Sequence, residues 1–216
     1  MKTALVAGAT GAIGKALLFQ LIEDKQYIKV IALSRKPLTI KHHKLTNLIV
    51  DFSQLDGVSS QLAADDIYCC LGTTIKQAGS EEAFRKVDHQ YVVDVAKTCK
   101  QQGATQFLLV TAMGANAQSP IFYNRVKGET ERDVFAVGYD TCVVVRPSLL
   151  IASRLEFRLG EAIAQRIMKI TRFLFSGPLK KYRAIEVERV AQAMIKAAHS
   201  SLKGNHILLN DKLFDK

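Results

Sequence analysis

Short apolar runs alternate with longer stretches in which apolar residues recur every three or four positions, and this alternation fills most of the chain. "TALVAGA" at 3–9 is apolar and ends among glycines; "AIGKALLFQLIEDK" follows at helical spacing. "IKVIALS" (28–34), "LTNLIVDF" (45–52) and "DDIYCCLG" (65–72) read as the next three strands. "SEEAFRKVDHQYVVDVAKTCKQQG" (80–103) opens on a serine with a glutamate just after it and closes on Gly103, the signature of a capped helix. "TQFLLVTA" (105–112) and "TCVVVRP" (141–147) predict a fifth and a sixth strand, with a helix between them that ends at Gly138. Helices are expected over "FRLGEAIAQRIMKITRFLF" (157–175) and "AIEVERVAQAMIKAAHSS" (184–201), then a last strand at "HILLN" (206–210).

Strands separated by helices predict a doubly wound, mostly parallel sheet of the Rossmann-like α/β class, with helices on both faces. The near-continuous apolar character of the strands fits a sheet buried on both sides. No linker, repeat or low-complexity segment interrupts the pattern, so residues 1–216 read as a single domain. Its later third, about 147–185, is expected to build the substrate region.

Composition narrows the class further. With 48% hydrophobic and 23% charged residues the chain falls near the globular average. Charged residues break every apolar stretch before it reaches the length of a membrane span. The first residues, "MKTALVAGATG", lack the cleavage context of a signal peptide, and a cytoplasmic location is expected. The four cysteines (Cys69, Cys70, Cys99 and Cys142) form no C-x-x-C pair and read as thiols in a reducing compartment; the histidines offer no metal-ligand spacing. The net charge of +10 raises the question of nucleic acid, but the basic residues are scattered in small clusters such as "SRKP" and "PLKKYR". A solvated basic surface, part of it serving an anionic ligand, accounts for the charge better.

The strongest local chemistry lies in "GATGAIG", where Gly8, Gly11 and Gly14 punctuate the first strand-to-helix turn. Such a turn lets backbone N–H groups and a helix N-terminus approach a pyrophosphate. Glycine is required where a Cβ would block that approach. The turn residues Gly8, Thr10, Gly11, Ala12, Ile13 and Gly14 are therefore the candidate phosphate cradle. At the end of the second strand, Ser34 is followed by Arg35 and Lys36, where NAD-dependent enzymes place an acid for the ribose 2′-OH. Two cations attract a 2′-phosphate instead, which favours NADP(H) over NAD(H). Asp51 and Phe52 end the third strand, where an acid is placed to accept a hydrogen bond from the adenine amino group.

These motifs, together with "CCLGTT", "VDHQYVVDVAK", "YNRVK" and "VVRPSLL", resemble the atypical short-chain dehydrogenase/reductases over nearly the whole chain. Within that superfamily, "CLGTT", "FRKVDHQYV" and "YNRVKGETE" are most similar to the Tat-interacting-protein group and its bacterial relatives, small NADPH-binding proteins. The resemblance implies that Leu71, Gly72 and Thr73 line the cofactor, and that backbone at Pro147, Ser148 and Leu149 meets the nicotinamide amide. It also implies a general acid/base role for Tyr123. Lys127, one helical turn away, favours the phenolate and holds the nicotinamide ribose. Thr111 stands where the superfamily has a serine, twelve residues before Tyr123, and is expected to donate a hydrogen bond to substrate. Asp88 matches a position that is often asparagine, and its charge alters any proton relay there.

Two function classes follow. One is an NADPH-dependent oxidoreductase acting on a small carbonyl or alcohol. The other is an NADPH sensor that works through a protein partner with little turnover, as the regulatory standing of the eukaryotic group suggests. A sugar-nucleotide epimerase is weaker, because such enzymes usually have a longer substrate domain, and nucleic-acid binding is weakest. Arg154, Glu156 and Arg158 are expected in the substrate wall, where they more readily pair with one another than with substrate.

Overall fold

The computed structural model describes residues 1–151 and 182–214. The helix expected at 157–175 and the residues Arg154, Glu156 and Arg158 lie outside them. Seven strands form one sheet, every neighbouring pair parallel: β1 (Lys2–Ala7), β2 (Tyr27–Ser34), β3 (Leu45–Ile49), β4 (Asp66–Cys69), β5 (Gln106–Val110), β6 (Thr141–Arg146) and β9 (Gly204–Leu209). Two short strands, β7 (Leu150–Ile151) and β8 (Ile185–Glu186), pair separately and in parallel. The sheet order is β3-β2-β1-β4-β5-β6-β9. Winding reverses between β1 and β4, and the crevice beyond the carboxyl ends of these strands is the expected ligand position in such a sheet.

The strand alternation explains the two helical layers. Ala4, Val6, Val30, Ala32, Leu108, Val143 and Val145 face one core, shared with α1 (Ala12–Glu23) and α6 (Val187–His199). Leu5, Ala7, Ile31, Leu33, Phe107, Leu109 and Val144 face the other, under α4 (Tyr91–Gln101) and the end of α5 (Phe122–Phe135). Each fully buried Leu or Val contributes roughly 1.5–3 kcal/mol, so this double burial holds the parallel sheet together.

The segment 80–103 departs from a single regular helix. The Ser80 hydroxyl accepts from the Ala83 N–H, and α3 (Glu81–Arg85) begins there after the one-turn α2 (Ile75–Ala78). Residues Lys86–Gln90 then form a π-helical turn before α4. The wider turn shifts the register by one position, as π-bulges do, frequently at functional sites. Asp88 lies within it and is fully buried.

Candidate functional site

The glycine turn has the geometry of an anion cradle. Gly8 has φ +84°, and a Cβ there would lie 2.6 Å from the Cys70 carbonyl group on the neighbouring strand segment. A Cβ on Gly14 would lie 2.2 Å from the Gly8 carbonyl oxygen, so α1 packs against the turn only with glycine there. The Gly11 N–H bonds the Gly8 carbonyl at 3.0 Å, closing the turn. Gly11 caps α1 without a side-chain hydrogen bond, and the first turn of the helix has no acid. Its orphan N–H groups and positive dipole end are therefore open to an anion. Thr10, Gly11 and Ala12 are exposed, whereas Ile13 is buried in the core and anchors the helix. These residues fit a dinucleotide pyrophosphate.

Arg35 and Lys36 are exposed at the tip of β2. Ser34 is buried, its hydroxyl donating to the Lys36 carbonyl at 2.7 Å. Asp51 is exposed, and its Oδ1 accepts from the Ser53 N–H at 2.9 Å and hydroxyl at 2.7 Å. These bonds, the backbone one first, hold the carboxyl below its ordinary range. Phe52 is buried in the core beside Tyr91, so only Asp51 of this pair faces outward.

Tyr123, Lys127 and Glu131 form a stripe at four-residue spacing on α5. The half-buried Tyr123 ring packs on Phe84, with centroids 5.4 Å apart. Lys127 is buried, and its Nζ lies 2.7 Å from Asp88 Oδ1. The other Asp88 oxygen accepts from the Thr73 N–H at 2.8 Å. A Cβ on Gly72 would fall 3.2 Å from Asp88 Oδ1 and 3.6 Å from Lys127 Nζ. The loop after β4 therefore lies directly over this ion pair. Burial pushes the Asp88 carboxyl above its ordinary range, against the opposing pull of Lys127. The sequence pointed to Lys127 as a cation beside the phenol; the structure also gives it a carboxylate partner.

Thr111 is likewise engaged. Its buried hydroxyl donates to Glu131 Oε1 at 2.6 Å, which engages the proton expected to serve a substrate. Arg146, at the tip of β6, holds both oxygens of the same carboxylate, at 3.0 Å to Oε1 and 2.5 Å to Oε2. Beyond Arg146, Pro147 accepts from the Met113 N–H at 3.1 Å, which ties the loops after β5 and β6 together. The Ser148 N–H donates to Asn210 Oδ1 at 3.0 Å, and its hydroxyl donates to the Arg183 carbonyl. This N–H is committed to Asn210 within the protein. Leu149 is exposed, and its carbonyl accepts from the Ile185 N–H at 3.0 Å.

The structure thus gathers Gly8–Gly14, Leu71–Thr73, Asp88, Thr111, Tyr123, Lys127 and Pro147–Leu149 onto the carboxyl edge of the sheet, with Arg35, Lys36 and Asp51 at its β2–β3 side. It adds residues that the motif reading passed over. Glu131 and Arg146 are one; their signal was the third member of the α5 stripe facing an arginine that ends an apolar strand. Gly128 is another: a Cβ there would come 2.1 Å from the Ala117 N and 2.2 Å from the Asn116 carbonyl carbon. A glycine inside "YNRVKGE" was the available sign of such a close approach. It lets the loop after β5 lie on the helix that bears Tyr123 and Lys127.

Comparison with known proteins agrees with this geometry. The family described as NAD(P)H-binding matches residues 8–151. Protein HTATIP2 of Rattus norvegicus is 33% identical over 98% of this chain and 87% of its own length. Protein FMP52, mitochondrial, of Candida albicans is 36% identical over 86% of this chain and 84% of its own. The structure of MoeE5 in complex with UDP-glucose and NAD superposes with a TM-score of 0.71 at 17% identity, over 95% of this chain and 75% of that one. A short chain dehydrogenase family protein from Francisella tularensis gives 0.67 at 14%, over all of both chains. At such identities the structural matches show the fold alone. With the cradle, the sheet and these relatives in agreement, the chain belongs to the NAD(P)H-binding family, on a Rossmann-like fold.

Proposed function

We propose that the protein is an NADPH-dependent oxidoreductase acting on a small carbonyl or alcohol, with Tyr123 as the acid/base. The observation that carries this reading is the placement of Lys127. It stands one turn from Tyr123 on α5 while the cofactor loop at Gly72 passes over its ammonium group. The nicotinamide supplies or accepts the hydride. Tyr123 gives its phenolic proton to the substrate oxygen or takes it in reverse; among the described residues no side chain hydrogen-bonds its hydroxyl. Lys127 holds the ribose and, with Asp88, fixes the charge beneath it. The exposed Arg35 and Lys36 support NADP(H) over NAD(H). The four cysteines are free, which supports a reducing compartment, the cytoplasm in this reading; the FMP52 relatives are named mitochondrial. No helix among the described residues is long and apolar enough to cross a membrane.

Parallel calorimetric titration with NADPH and NADH at fixed salt tests the cofactor half. Tight NADPH with weak NADH is expected, and equal affinity would refute the preference. A carbonyl-substrate screen with Tyr123→Phe as control tests the chemistry: binding of NADPH stays intact while turnover is lost. Undiminished turnover in that variant would remove Tyr123 as the acid/base. Two contacts favour the second reading, a sensor acting through a protein partner: Thr111 gives its proton to Glu131, and Lys127 is paired with Asp88. A protein that binds NADPH but turns over no carbonyl in the screen would be this sensor.

A further inference from the structure

β3 (LTNLI) carries an amide side chain at its central position. Asn47 stands opposite Ala32 in the β2–β3 register, half-buried at the edge of the sheet. Its Nδ2 donates to the Ala32 carbonyl at 3.0 Å and to Ser34 Oγ at 2.8 Å. Its Oδ1 accepts from the Leu38 N–H at 2.9 Å. Donors and acceptors match one amide orientation only. Two acceptors face the NH₂ group, because the Ser34 proton already goes to the Lys36 carbonyl, and a backbone donor faces the oxygen. One carboxamide therefore grips the chain on both sides of Arg35-Lys36-Pro37. Leu38 and Ile40, just past the grip, pack against the core. The loop is closed, and its two cations point to solvent, with no ion pair formed by either among the described residues.

A doubly charged phosphate is recognised by cations whose position is fixed beforehand, because ordering them on binding reduces affinity. We propose that Asn47 is the positioning residue for 2′-phosphate recognition. It holds loop 35–37 in the shape that presents Arg35 and Lys36 to an adenosine 2′-phosphate, and so sets the preference for NADPH over NADH. This rests on the NADP(H) reading above. Asn47 itself touches no cofactor atom in this account; it acts through the loop.

The test uses ligands that reach only the adenosine half of the site. The full chain and its Asn47→Ala, Asn47→Asp and Ser34→Ala variants are titrated by calorimetry with 2′,5′-ADP and with 5′-AMP at fixed salt. The unaltered protein should prefer 2′,5′-ADP. Asn47→Ala should cut that preference about tenfold. The loss should come from 2′,5′-ADP, with 5′-AMP affinity unchanged, which a merely structural role at the sheet edge would not produce. Asn47→Asp keeps the acceptor for Leu38, loses both donated bonds and adds an anion, so its preference should fall further. A preference that survives Asn47→Ala in full would overturn the role of Asn47 while the NADP(H) reading stands. No preference in the unaltered protein would overturn that reading and this role with it. Should Asn47→Ala fail to fold, Ser34→Ala decides: a several-fold drop supports the proposal, and an unchanged ratio overturns it.

Discussion

At the N-terminal ends of the strands Asp66 is fully buried and closed on all sides. Lys2 Nζ lies 3.2 and 3.0 Å from its two oxygens, and the Tyr27 hydroxyl donates to Oδ2 at 2.6 Å. Tyr27 in turn shares a 2.8 Å hydrogen bond with Tyr68, and at the same end the Tyr139 hydroxyl donates to the Ala96 carbonyl. At the C-terminal ends Asp88 is just as deeply buried, but its surroundings differ. The Asp88–Lys127 pair lies under Gly72, near an uncapped helix N-terminus and a glycine turn too tight for any Cβ. Both ends hold a buried carboxylate with a lysine partner, so a buried ion pair is not what marks a site. The mark is backbone left free to approach something: glycines where side chains would clash, and N–H groups not used by the fold.

If the N-terminal cluster serves stability alone, alkali should reveal it first and most strongly. Burial, the largest cause for each, raises the Tyr27, Tyr68 and Tyr139 phenols well above their ordinary value. In the unfolded chain these phenols lose their protons near pH 10, whereas in the folded protein they keep them. The stability they contribute is therefore complete below that pH and falls as pH rises beyond it, by up to about 1.4 kcal/mol per pH unit for each group. Urea unfolding between pH 8 and 11.5 should show the midpoint dropping steeply above pH 10. A midpoint that stays level to pH 11.5 would show that these hydroxyls are not held as the structure has them.

The C-terminal pair should respond to substitution in both stability and binding. Lys127→Ala strands the buried Asp88 carboxylate and should lower unfolding free energy by about 3 kcal/mol, the low end for a broken buried pair because burial already opposes the charged form of Asp88. The double variant Asp88→Asn, Lys127→Met removes both charges and should recover most of that stability. Neither variant should recover NADPH affinity, measured by the same calorimetry. Recovery of binding in the double variant would make the pair structural and erase its difference from Asp66.

How far each end could be read in advance follows from the range of the interactions. The sheet and its helices were legible because strand burial and helix periodicity are local patterns, and β9 and the β1–α1 turn came out where the apolar runs and glycines put them. Asp88 was visible as a residue but not as a partner of Lys127, since its direction depends on a π turn that regular helical spacing does not foresee. The Glu131–Arg146 lock joins a helix to a strand tip, and the Asn210–Ser148 bond spans 62 residues; only the folded chain brings either together. Asn47 was the nearest miss, since a lone amide in "LTNLIV" is itself a sign of a polar duty at a sheet edge.

One hydroxyl removed from each end gives the smallest and sharpest contrast. Tyr27→Phe takes a donor from Asp66 and leaves Tyr68 without that partner, so stability should fall by about 1–2 kcal/mol. NADPH affinity should not change, because the Asp66 cluster lies at the N-terminal ends of the strands and the cradle at their C-terminal ends. Thr111→Val takes a donor from Glu131, whose two oxygens remain held by Arg146, so stability should fall by no more than about 1 kcal/mol. On the oxidoreductase reading its effect falls on turnover. With the hydroxyl gone, Glu131 loses its contact with the tip of β5, and turnover in the carbonyl screen should drop while NADPH affinity holds. Thr111→Ser, which keeps the hydroxyl, should restore turnover. If Thr111→Val instead behaves like Tyr27→Phe, losing stability and nothing else, then Thr111 belongs to the scaffold, and the chemistry at this end narrows to Tyr123 and Lys127.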